Sequence, residues 1–317
     1  MPLPSLFPRA RLASLIALAC LGQPVYADPV TSASPASAET TRSNAAVLQQ
    51  RPFSDAADYA AVTRGLVAPF KGQVVDANGR PVWSLASYEF LNKKDSPATV
   101  NPSLWRLAQL NSHAGLFEVT PGLYQVRGMD LANMTIIEGD DGLIIIDPLT
   151  AVETARAALD LYYQNRPHKP VVAVIYSHTH TDHFGGVRGV VDEADVKAGK
   201  VKVLAPSGFM EHVMSENVYA GNAMSRRAQY QFGLYLPRSE QGQVDAAIGK
   251  AVAVGGTITL IPPTDLISQP YETRRIAGVD LEFQLTPGTE APSEMNLYLP
   301  KFKALGIAEN ASQTMHN

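Results

Sequence analysis

The sequence predicts a mixed α/β (α+β) fold in which two β-sheets are packed together and covered by helices on their outer faces. Three features carry this expectation. From Leu116 onward, strand-like and helix-like segments alternate. Val171 to Tyr176 is an unbroken, largely β-branched apolar run, as in a strand buried on both faces. Asp141-Gly142 lies between two apolar strands where a hairpin turn belongs, with glycine expected to supply a positive φ.

Taken in order, residues 1–27 read as a cleavable export signal. Arg9 and Arg11 precede an apolar run, Leu12 to Leu21, that is too short to span a bilayer, and Val25-Tyr26-Ala27 offers small residues for cleavage. The expectation is a periplasmic or secreted protein with no stable membrane anchor. Ala19-Cys20 is a poor lipidation site behind Ala17-Leu18, and cleavage after Ala27 would remove Cys20, the single cysteine. Residues 28–50, rich in Ser, Ala and Thr, are expected to be a flexible linker. An N-terminal extension, 51–115, should hold helices at Ala56 to Phe70 and Pro102 to Leu110, with Trp83 and Trp105 as packing anchors.

The domain expected over 116–317 opens with strands at Phe117 to Val119, Leu123 to Val126, Met134 to Ile137 and Leu143 to Ile146. Thr150 and Glu153 have the spacing of a capping box for a helix running to about Gln164. Further strands are expected at Lys202 to Leu204, Thr257 to Ile261, Val279 to Leu285, Met295 to Leu299 and Ala304 to Ile307. Gly208 to Tyr219 reads as a helix, and Ala220 to Gln243 as a long polar excursion.

Composition narrows the functions available. The 317 residues are 45% hydrophobic and 18% charged, which excludes a disordered, collagen-like or coiled-coil chain. With 26 Lys+Arg against 30 Asp+Glu, the net charge of −4 lacks the basic surplus that nucleic acid requires, so no nucleic-acid partner is expected. One cysteine can build neither an internal disulfide nor a thiolate metal site. Any metal must be held by His, Asp and Glu.

Such residues are concentrated in Ser177-His178-Thr179-His180-Thr181-Asp182-His183-Phe184-Gly185-Gly186, directly after the buried strand. Residues i and i+2 of an extended chain share a face, so His178 and His180 can grip one metal. After a turn, Asp182 and His183 can face a second. Gly185-Gly186 permits close backbone approach, and imidazole and carboxylate are the ligands zinc takes without thiolates. Asp147, ending the Ile144–Ile146 strand, is placed to orient a ligand histidine.

At these residues the chain resembles the metallo-β-lactamase superfamily. Three further segments, residues 221–228 (GNAMSRRA), 286–292 (TPGTEAP) and 308–311 (AENA), resemble its zinc-dependent alkylsulfatases. The resemblance implies an αββα sandwich, C-terminally incomplete, and hydrolysis of alkyl sulfate esters such as dodecyl sulfate by water activated at two Zn²⁺. His178, His180 and Glu290 would hold the first zinc, Glu290 standing where most of the superfamily has histidine. Asp182, His183 and Glu309 would hold the second, with Glu309 matching the carboxylate that bridges the metals. Asp182 and Glu309 would thus sit at the reacting centre.

The family's remaining histidine ligand and its sulfate-binding arginine would fall beyond Asn317, which itself opens the substrate-contacting stretch. The chain is therefore expected to be an N-terminal fragment of a parent that is a homodimer. Arg226 and Arg227 read as a solvated pair or, on the functional reading, as a sulfate contact. Phe184, Phe209 and Tyr230 are candidates to line an alkyl channel. His113, His168, His212 and His316 are read as lying outside the site. The competing readings are a superfamily hydrolase acting on a lactam, thioester or phosphodiester, and an inactive metal-binding remnant.

Overall fold

Alternation along single strands decides the layering. Within Leu143–Ile146, Leu143 and Ile145 are buried in one apolar cluster and Ile144 in another, as the two-residue period of a strand requires. The same split separates Ile136 from Ile137, and Val174 from Ala173 and Ile175. A sheet with two apolar faces must be covered twice.

The computed structural model describes residues 33–312 and 314. The expected export signal (residues 1–27), Cys20, His316 and Asn317 lie outside them. The described residues from Pro35 onward form one unit. It begins with α1 (Ala38–Gln50), α2 (Ala57–Val62), β1 (Leu66–Pro69), β2 (Gln73–Val75), β3 (Pro81–Ser84) and α3 (Pro102–Leu110). There follow β4 (Gly115–Thr120), β5 (Leu123–Arg127), β6 (Met134–Glu138), β7 (Leu143–Ile146), α4 (Val152–Asn165) and β8 (Val171–Ile175). Next are α5 (Glu193–Lys197), β9 (Lys202–Pro206), α6 (Phe209–Met214) and α7 (Gly221–Phe232). The last strands are β10 (Asp265–Ile267), β11 (Tyr271–Ile276), β12 (Val279–Leu285), β13 (Met295–Leu299) and β14 (Ala304–Gly306).

One sheet has the order β1-β4-β5-β6-β7-β8-β9-β10, antiparallel up to β7 and parallel from β7 to β10. A second, β11-β12-β13-β14, is antiparallel throughout. One cluster joins the large sheet to Ala155, Ala158 and Tyr162 of α4 and to Trp105 and Ala108 of α3. The other joins Ile144, Ala173 and Ile175 to Leu281, Phe283 and Leu297 of the small sheet. Both tryptophans anchor as expected, their indole N–H groups donating to Gly128 O and Lys93 O. The outward residues of β12, Asp280, Glu282 and Gln284, are exposed, and no helix covers that face among the described residues. No described helix is long and apolar enough to cross a membrane.

Several expectations need correction. The linker expected over 28–50 contains α1, because Ser37 caps it by accepting from Thr40 N and Asn44 ties it to Ala98 O. Its lack of large apolar residues shows instead as a helix with no buried residue. The helix expected over 56–70 stops at Val62, and Leu66–Pro69 pairs with β4. Thr150 and Glu153 do not form a capping box. The Thr150 hydroxyl donates to buried Asp130, and the Glu153 carboxylate accepts from Thr257 N and Oγ1.

That bond helps explain why 257–261 is not a strand. The segment spends Thr257 O on Val152 N and Thr259 N on Gly185 O, and the sheet edge is taken by β10. The excursion over 220–243 contains α7, again without a buried residue. Gly142 does close the β6–β7 hairpin, but not through a positive φ. A Cβ there would lie 2.5 Å from Val172 Cγ1, so close packing is what demands glycine.

Candidate metal centre

The site forms where β8 ends. Met295 N donates to Ser177 O at 3.0 Å, and His178 makes an antiparallel bridge with Glu294, so the histidine segment is held against the small sheet. His178 is fully buried and Thr179 turns the other way, donating to Glu216 Oε2 at 2.7 Å. The chain then makes a single 3₁₀ turn, Thr181–His183, that swings Asp182 and His183 back toward His178. The turn is locked from behind. A Cβ at Gly185 would lie 2.2 Å from Thr150 O, and one at Gly186 2.2 Å from Pro148 O. Gly186→Ala should therefore cost about 1–3 kcal/mol of stability, since rigid backbone must yield. Chemical denaturation checks this, and an unchanged midpoint would refute it.

Six ligand-type side chains converge here. His178, His180, Glu290 and Glu309 bring one donor atom each within 4.8 Å of one another, and so do Asp182, His183 and Glu309. Glu309 is common to both groups. Its Oε1 lies 3.2 Å from His183 Nε2, His180 Nδ1 lies 3.2 Å from Glu290 Oε1, and His183 Nε2 lies 3.5 Å from Asp182 Oδ2.

Asp147 orients two of the histidines. Its Oδ2 accepts from His183 Nδ1 at 2.8 Å and from Ser177 Oγ at 2.7 Å, while Oδ1 accepts from Ser177 N at 2.8 Å. With its proton given to Asp147, the Ser177 oxygen accepts from His178 Nδ1 at 2.9 Å. Both imidazoles thus spend Nδ1 outward and aim Nε2 into the cluster. Asp147 reaches this position with φ 55, and Ala308 precedes Glu309 with φ 45, a left-handed conformation that side-chain-bearing residues adopt at a cost.

The charges respond to one another. Burial alone would push His183 down, but Asp182 and Asp147 hold it well above the ordinary imidazole range. Burial opposes protonated His180 as well, and Glu290 and Asp182 raise it on balance. Asp182 is held low because His183 outweighs the burial that would lift it. Glu309 is raised by burial, with Asp182 and Glu290 adding to the effect and His183 opposing it. Three carboxylates crowded among three imidazoles, with no thiol, are a donor set that suits divalent zinc.

Residues 127–289 match the model of the family described as the metallo-beta-lactamase superfamily. The chain belongs to that superfamily. Among its superfamily relatives, an (R)-specific secondary-alkylsulfatase from Pseudomonas sp is 61% identical over 309 residues, covering 98% of this chain and 46% of the relative. A linear primary-alkylsulfatase from Pseudomonas sp is 52% identical over 288 residues, covering 90% of this chain and 43% of the relative. The solved structure of the stereoselective inverting sec-alkylsulfatase Pisa1 from Pseudomonas sp superposes with a TM-score of 0.84 at 63% identity, covering 86% of this chain and 43% of that one. The chain spans about half the length of the curated relatives it matches.

The other sequence candidates are not among the metal-ligand groups. Arg226 and Arg227 are exposed on α7 and belong to neither ligand group. Phe184 and Phe209 pack in the core against Tyr176, and Tyr230 is 90% exposed, so these three do not line a common channel. His168 stacks on Tyr163 and the His113 ring bonds Leu110 O, and neither belongs to a ligand group. Ser177 and Glu294 were not singled out in the sequence. Neither is a metal-ligand type at a motif position, and their roles come from burial against the site.

Proposed function

We propose that this protein hydrolyses alkyl sulfate esters, releasing sulfate and an alcohol, at a site holding two Zn²⁺. His178, His180 and Glu290 would hold one ion and Asp182, His183 and Glu309 the other, with Glu309 shared. The observation that carries the reading is Glu290, set 3.2 Å from His180 in the place where a resemblance to alkylsulfatases calls for carboxylate. The alkylsulfatase relatives at 52% and 61% identity support it.

Bound zinc would supply Lewis acidity and lower the pKa of water toward neutrality. The chain's own residues prepare the site for this. Asp147 and Ser177 fix the histidine tautomers, and Glu309 stands between the two ligand groups as an acceptor. A cavity of about 430 Å³ opens beside His183 and Glu309, lined by apolar Leu123, Ile146 and Leu297 and by polar Gln125, Arg127 and Thr135.

Sulfate release from dodecyl sulfate and from secondary alkyl sulfates tests the assignment. Activity should vanish on chelation and return with zinc, with no turnover of a lactam or thioester. Zinc-loaded protein that frees no sulfate would overturn it. Hydrolysis in ¹⁸O-water then shows, by label in the alcohol or in the sulfate, which bond is cut. We also propose that residues 1–27 direct export.

A further inference from the structure

Glu294 lies outside both ligand groups, yet the segments that carry them meet at this residue. It is 1% exposed and forms no ion pair among the described residues. Its Oε2 accepts from the Thr289 hydroxyl and from the backbone N–H groups of Glu290 and Ala291, each at 2.9 Å. Its Oε1 accepts from Asn310 Nδ2 at 2.7 Å. Its backbone bridges His178, and its carbonyl accepts from Thr286 N at 2.9 Å. One side chain therefore ties the turn bearing Glu290 to the residue after Glu309, while its backbone holds the histidine segment.

A carboxylate suits this task. Four donors converge on two oxygens, and an ionised carboxylate offers only acceptors. An amide of the same shape would turn its NH₂ either toward the three donors at Oε2 or toward Asn310, whose own amide must then flip to accept it. Burying a carboxylate is costly unless it is fully hydrogen-bonded, and here the bonds run to both ligand-bearing loops.

We propose that Glu294 is a positioning residue that sets the separation of the Glu290 and Glu309 carboxylates, and through it the capacity of the cluster to hold two metal ions together. The inference rests on the metal-binding part of the proposed function and not on the substrate.

Zinc titration of the full chain, read by calorimetry and by competition with a chromogenic chelator, tests it without any turnover. Glu294→Gln should weaken one of the two equivalents by about 10–100-fold, the range seen when outer partners of metal ligands are removed. Cobalt-loaded protein should show weakened magnetic coupling between the ions. Glu294→Asp, which keeps the acceptor chemistry, should recover part of the loss. Ser293→Ala is the control for a merely structural role. Ser293 is buried next door but bonds Ser207 O and neither ligand loop. It should bind both equivalents as the wild type does, whatever its melting temperature.

A folded Glu294→Gln protein that holds two ions at wild-type affinity would overturn the proposal while leaving the metal centre intact. Wild-type protein that binds no zinc would overturn both. Should Glu294→Gln fail to fold, Asn310→Ala removes only the link to the Glu309 side. Undiminished binding of both equivalents in that variant would equally reject the idea.

Discussion

Glu309→Gln is expected to lose activity without losing stability. Glu309 is the one residue common to both ligand groups. A carboxylate can present an oxygen to each, whereas glutamine has a single acceptor oxygen and must turn its NH₂ toward one of the two groups. On the proposed two-zinc reading, zinc content should fall from about two equivalents to one or fewer, as a two-metal site loses its shared clamp. The proposed hydrolysis should fall by at least ~10²-fold, the upper range for removing even an outer partner of a ligand. Stability should move the other way. Burial and the nearby carboxylates already oppose charge on Glu309, so a neutral amide relieves the metal-free protein. Elemental analysis, sulfate release and metal-free thermal unfolding read the three quantities. A variant retaining two zincs and normal turnover would remove Glu309 from the centre.

The legible part of this molecule was the part written in periodicity and local spacing. The apolar run at 171–176 gave the buried strand, and the histidine motif beyond it lies where that strand ends, because both depend on neighbours in sequence. Misread elements have long-range causes. Glu153 has capping-box spacing with Thr150, but Thr257, 104 residues away, takes its carboxylate. Residues 257–261 alternate like a strand, yet their backbone groups are spent on Val152 and Gly185. The dependence of the site on Glu294 was equally hidden. A lone glutamate after Pro292-Ser293 carries no signal until the fold delivers Thr289 and Asn310 to its two oxygens.

Far from the metal centre, Lys250→Met should produce one of the largest losses of stability in the chain. Lys250 and Asp245 are paired at 3.2 Å with side chains 0% exposed. The ammonium also donates to Ala108 O and Val244 O and lies 4.3 Å from the centre of the Tyr88 ring. Burial still pushes Lys250 down to about 8 and lifts Asp245, so their attraction does not repay the loss of water. Removing the lysine alone leaves a buried carboxylate held only by Asn111 Nδ2 and Ala247 N, which should cost ~3–5 kcal/mol at neutral pH. Lys250→Met with Asp245→Asn should recover most of it, since neutral replacements escape the desolvation penalty.

The pH dependence follows from the two directions. Between about 8 and 10.5 the unfolded chain keeps the Lys250 proton and the folded chain has lost it, so wild-type stability gains with rising pH across that window, by up to ~3 kcal/mol. Lys250→Met lacks this gain. At the acid end the folded variant protonates Asp245 before the unfolded chain does, which eases its buried charge. The gap between wild type and variant should therefore widen from pH 5 to pH 10 in urea unfolding. A gap that stayed constant, or a double variant no better than the single one, would mean that the pair does not carry this charge balance.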